Sequence, residues 1–103
     1  MKALAGLVTL GFLAAGAGPA GAVQSVPVMA ESCALCHGME GRSPAAMPSL
    51  AGREAETLFK ALMGFYDGSR PATVMDRIVK GYDAAELRDL AEYFAHRPPE
   101  IWP

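Results

Sequence analysis

Cys33-Ala34-Leu35-Cys36-His37 gathers both cysteines of the chain and one of its two histidines into five consecutive residues. Two thiols three residues apart on a helical turn can reach both vinyl groups along one porphyrin edge. The imidazole that follows then lies under the iron as its proximal ligand. This is the spacing of a c-type haem attachment site, with Cys33 and Cys36 as thioether anchors and His37 as an iron ligand. Other uses of the pair predict other surroundings. A thiol-redox pair follows a strand in thioredoxin-like folds, whereas Pro27-Val28-Met29-Ala30-Glu31-Ser32 reads as a helix, with Pro27 in its first turn and Ser25 available as its cap. A zinc site wants four ligands, and only His96 remains, far downstream. A disulfide between Cys33 and Cys36 closes too short a loop to stabilise much. Haem attachment consumes both thiols, and a haem-free zinc or thiol-exchange module is the competing reading.

Upstream, Lys2 is the only charge before Glu31. An apolar run follows it from Ala3 to Ala15, then Gly16 to Gly18 and Pro19, then Ala20-Gly21-Ala22. A basic start, a short apolar stretch and a small-x-small end describe a secretory signal peptide, cleaved after Ala22. An uncleaved anchor from Ala3 to Val23 would be long enough to span a bilayer, but glycine and proline make its second half a poor helix. The expectation is therefore an exported, periplasmic domain over residues 23–103 that does not insert in the membrane. The 51% hydrophobic content overstates the core, since much of it sits in residues 1–22. Loss of Lys2 makes the formal charge one unit more negative than the −2 of the whole chain, which argues against a nucleic-acid partner. A domain this small buries too little surface to be comfortable alone, and a cofactor in its core answers that need.

Downstream, the pattern is helical throughout. A helix from about Arg53 to Phe65 is expected, with Gly52 as its N-cap, Glu56 and Lys60 paired one turn apart, and an apolar stripe of Leu58, Phe59, Leu62 and Phe65. A turn-rich loop, Asp67-Gly68-Ser69-Arg70-Pro71-Ala72, leads to a short helix from Met75 to Lys80 that stops at Gly81 as a left-handed cap. The last helix opens on Asp83 with Glu86 three residues on, a capping box, and buries Leu87, Leu90, Ala91 and Phe94. His96, Arg97 and Pro98-Pro99 end it, and a short tail containing Ile101 and Trp102 follows, available to dock on a partner or fold back. The architecture expected is all-α, three to five helices wrapped around one covalent haem.

From Pro27 to Arg97 the chain resembles the class I cytochrome c family. The residues that carry the likeness are Cys33-x-x-Cys36-His37-Gly38, Pro48-Ser49-Leu50-Ala51-Gly52, and a methionine ahead of the Leu90-Ala91-Glu92-Tyr93-Phe94 helix. Within that family it is similar to the single-haem cytochrome subunits of flavocytochrome c sulfide dehydrogenases. Gly64-Phe65-Tyr66-Asp67-Gly68 and Thr73-Val74-Met75-Asp76-Arg77-Ile78-Val79-Lys80-Gly81-Tyr82 carry that closer likeness.

The resemblance implies a methionine as second axial ligand. Met29 and Met39 flank the motif too closely to cross to the other haem face, and Met63 lies on the margin of a helical stripe, where packing is the usual role. Met75, after the turn-rich loop, is favoured over Met63, and it is the ligand the family likeness implies beside His37. The likeness also places the Pro48 carbonyl on the His37 Nδ1–H, which puts Met47 on the wrong face. His96, in a last helical turn, reads as a surface residue. Arg42, Arg53, Arg70, Arg77 and Lys80 are candidates to pair with haem propionates or an acidic partner, and Tyr66 and Tyr82 either donate to propionates or pack in the core. In that family an FAD-containing flavoprotein oxidises sulfide and the haem subunit receives the electrons and passes them to another redox carrier. This chain is too short to hold a dinucleotide-binding domain, so FAD would belong to a partner subunit. A free, diffusible electron carrier is the alternative.

Overall fold

The computed structural model describes residues 24–99, with isolated positions 3, 5, 6, 9 and 11 before them. The expected cleavage site after Ala22 and the tail residues Ile101 and Trp102 lie outside the described residues. Among the described residues four α-helices, α1 (Val26–His37), α2 (Ala55–Asp67), α3 (Met75–Ile78) and α4 (Ala84–Ala95), make an all-α domain, with 3-10 turns at Met39–Gly41 and Val79–Gly81. Among the described residues no helix is long and apolar enough to cross a membrane.

Pro27 lies in the first turn of α1, where its missing N–H costs nothing. Ser25 occupies the cap position in an extended conformation, but its side chain makes no capping bond. At the other end Gly38 has φ +89°, and its N–H closes on the Ala34 carbonyl at 2.9 Å. A Cβ at Gly38 would run into the Arg42 carbonyl. Only glycine therefore lets the chain double back directly beneath the cysteine motif.

The α2 helix starts at Ala55, with Glu54 at its cap position, and Gly52 does not cap it. Gly52 is used for packing instead. Its φ is +72°, its N–H donates to the Phe94 carbonyl at 3.0 Å, and a Cβ would press 2.9 Å from Pro99. The helix continues two residues past Phe65 to Asp67 and ends on Gly68 in the left-handed region.

Glu56 does not turn back to Lys60. Its carboxylate reaches across to Arg88 of α4 at 2.7 Å, while the Arg88 guanidinium lies 3.7 Å above the Phe59 ring. The hydrogen bond and charge of Arg88 hold the Glu56 carboxyl below its ordinary range. A carboxyl held low in the folded state contributes stability that is complete above its unfolded pKa and is lost as pH falls through the folded value. The melting-temperature difference between wild type and Arg88→Gln is therefore expected to be small at neutral pH, because both side chains are exposed. Melts across the acid range should show the part due to the pair vanishing below the carboxylate range.

In α4 the capping box is complete: the Asp83 carboxylate accepts from the Glu86 N–H at 2.8 Å, and the Glu86 carboxylate accepts from the Asp83 N–H at 3.0 Å. Asp83→Ala is expected to cost about 1 kcal/mol, measured by urea denaturation. The buried stripe of α4, Leu87, Leu90, Ala91 and Phe94, packs with Met29 and Ala30 of α1, Leu58 of α2, and Val79. The segment after Met75 runs through α3 into its 3-10 turn, yet Gly81 is not the left-handed cap. The positive-φ glycines among the described residues are Gly38, Gly41, Gly52 and Gly68.

Candidate functional site

A cleft of about 310 Å³ opens between the end of α1, the loop before α2, the inner face of α2 and the Met75 segment. Cys33, Cys36, His37, Pro48 and Met75 all line it. Its floor is apolar, built from Leu58, Leu62 and Phe65 of α2 and from Leu87, Leu90 and Phe94 of α4.

Among the described residues His37 is the one buried polar side chain, 7% exposed, in the last turn of α1. Its Nδ1 lies 2.6 Å from the Pro48 carbonyl. A carbonyl can only accept, so Nδ1 carries the proton and donates. Nε2 is then the ring nitrogen left to bind a metal. Gly38 and the Met39–Gly41 turn bring this about by folding the chain back: Leu50 and Ala51 N–H groups both donate to the Gly41 carbonyl, at 2.8 and 3.2 Å. That fixes the loop carrying Pro48 against α1.

Of the methionines, Met47 and Met75 reach the cleft. Met47 is on the exposed rim beside Pro48. Met63 packs against the hydrophobic core, Met29 is buried in it, and Met39 is 80% exposed on another face. Met75 is half-buried and opens α3.

Burial pushes the Cys33 thiol above its ordinary pKa. Reactive redox thiols are depressed instead. No group of three or more His, Cys, Asp or Glu side chains converges to hold a metal ion among the described residues. His96 lies exposed at the end of α4, its Nδ1 2.7 Å from the Glu92 carbonyl. The donors that line this apolar cleft are two thiols, the His37 imidazole and the Met75 thioether, with Met47 on the rim. That is the set a covalently bound haem uses, and the residues present fit it.

The basic candidates separate clearly. Arg53 and Arg70 line the cleft. Arg42 pairs with Glu40 at 2.9 Å and donates to the Pro98 carbonyl at 2.9 Å. Lys80 donates to the Tyr66 carbonyl at 2.6 Å and sits 4.5 Å over that ring. Arg77 is exposed and does not line the cleft. Tyr82 does line it, with its hydroxyl 2.7 Å from that of Ser32. Nothing in the sequence singled out Ser32, because its partner lies on a distant segment.

No family model matches the chain. Among curated proteins it is 44% identical over 69 residues to the cytochrome subunit of sulfide dehydrogenase from Chlorobaculum tepidum, covering 67% of this chain and 63% of that protein. It is 39% identical over 98 residues to cytochrome c4 from Pseudomonas aeruginosa, covering 92% of this chain and 47% of the relative. With cytochrome c-553 from Nitratidesulfovibrio vulgaris it shares 36% identity over 70 residues, covering 63% of this chain and 69% of the relative. The chain thus spans less than two thirds of the length of the first two of these relatives.

Proposed function

The chain belongs to the class I c-type cytochromes, and on that premise we propose that it is the electron-transfer haem subunit of a sulfide dehydrogenase. The observation that carries the reading is the convergence of Cys33, Cys36, His37 and Met75 on one apolar cleft. Bound haem c supplies a one-electron couple. Cys33 and Cys36 would hold it through thioethers, and His37 and Met75 would ligate the iron. The Pro48 carbonyl keeps the His37 ring in one tautomer and one plane. The Met75 thioether would favour the reduced metal, and the leucine and phenylalanine floor would surround the haem with apolar contacts, both raising the potential. Arg53 and Arg70, on the wall of the cleft, are placed to meet propionate charge.

The finer assignment to sulfide oxidation is supported by the likeness to the sulfide dehydrogenase cytochrome subunit. On this reading an FAD-containing flavoprotein subunit in the periplasm donates the electrons and a second redox carrier removes them. Residues 1–22 serve as the export signal and are removed. The protein purified gently from its source, with its partners retained, is expected to show flavin and haem in a fixed stoichiometry. Haem without flavin would instead support a free, diffusible electron carrier.

A further inference from the structure

Ser32 Oγ and Tyr82 Oη lie 2.7 Å apart although 50 residues separate them in the chain. Ser32 immediately precedes Cys33 on α1, and Tyr82 directly follows the 3-10 turn that continues α3 from Met75. Ser32 Oγ also donates to the Met29 carbonyl at 2.7 Å. A serine hydroxyl has one proton and a carbonyl can only accept, so that proton is spent on Met29. The Tyr82 hydroxyl is therefore the donor to Ser32. The bonds run in one direction, Tyr82 to Ser32 to the α1 backbone, and each polarises the next.

The Met75 segment depends on such distant fastening. Its four-residue helix opens at Val74 with no side-chain cap. Met75 itself packs against the core, and the C-terminal end of the segment is held as well: Val79 is 1% exposed in the core, Lys80 is bonded to the Tyr66 carbonyl at the end of α2, and Tyr82 is bonded to α1.

We propose that Tyr82 is a positioning residue whose hydroxyl, bonded to Ser32, clamps the segment carrying Met75 against the helix carrying Cys33 and so protects the Met75 thioether from replacement by an outside ligand. This rests on the reading of Met75 as iron ligand. An entering ligand has to move Met75 aside, and movement of its segment breaks the Tyr82–Ser32 bond. The net worth of that bond then adds to the cost of replacement.

The test is titration of imidazole into the oxidised holoprotein, read from the visible spectrum. Tyr82→Phe and Ser32→Ala are each expected to raise the imidazole affinity roughly three- to ten-fold, the value of one hydrogen bond. The double variant should go no further than either single one, since both remove the same bond. Tyr66→Phe, whose hydroxyl makes no hydrogen bond among the described residues, should bind imidazole as wild type does. Melting temperatures taken alongside separate the roles, because general loosening lowers Tm without a matched, non-additive gain in affinity. Unchanged affinity in both single variants, or additive gains in the double, overturns the clamp while leaving Met75 as ligand. A wild-type oxidised spectrum that lacks the methionine–iron charge-transfer band overturns the ligand reading, and the clamp with it.

Discussion

Met75→Ala is expected to leave the haem covalently attached while removing the methionine–iron charge-transfer band from the oxidised spectrum. The two outcomes separate because different residues control them. On the proposed reading attachment depends on Cys33 and Cys36 in α1, whereas Met75 lies on a segment held by Val79, Lys80 and Tyr82. Loss of the thioether leaves water or another weak donor in its place, which favours the oxidised metal. The reduction potential should fall by roughly 0.1–0.3 V, a fraction of the ~0.8 V range that axial ligands span. Redox titration of the variant gives the size of the drop. An unchanged band would rule out Met75 as the ligand and move the role to Met63, the methionine it is weighed against.

Replacing both Cys33 and Cys36 with alanine is expected to have the largest effect on folding. Without attachment, the apolar floor made by Leu58, Leu62, Phe65, Leu87 and Leu90 faces a cleft of about 310 Å³ with nothing fixed in it. A domain of this size supplies only about 3–5 kcal/mol from its own core, so leaving that surface to water consumes most of its stability. The double variant should lack a cooperative thermal transition in circular dichroism and should be degraded during expression. A stable, cooperatively melting double variant would show that the helices hold themselves together without the cofactor.

What the sequence made legible was what short-range chemistry determines. Cys33, Cys36 and His37 share one helical end because they are consecutive, and Pro27 marks the first turn of that helix. The Asp83–Glu86 box formed as read because both of its bonds close within three residues. Gly52 does not cap α2 because its role is tertiary: it gives close approach to Phe94 and Pro99, which are remote in sequence. Glu56 had a local partner in Lys60 and a distant one in Arg88, and the distant guanidinium was taken because it also stacks on Phe59. Gly81 needed no left-handed cap because the chain tightens into a 3-10 turn there. The same limit applies at the cleft. Five basic residues were equal in sequence, and the path of the loops puts Arg53 and Arg70 on its wall while other contacts occupy Arg42 and Lys80. The Ser32–Tyr82 bond had no sequence signal at all.

On the proposed reading this chain holds its haem covalently through Cys33 and Cys36. The purified holoprotein, denatured and extracted with acidified organic solvent, tests it most directly when its thiols are titrated in the same experiment. The haem spectrum is expected to stay with the polypeptide, and no thiol should titrate. Haem passing into the solvent, with both thiols appearing, would contradict it.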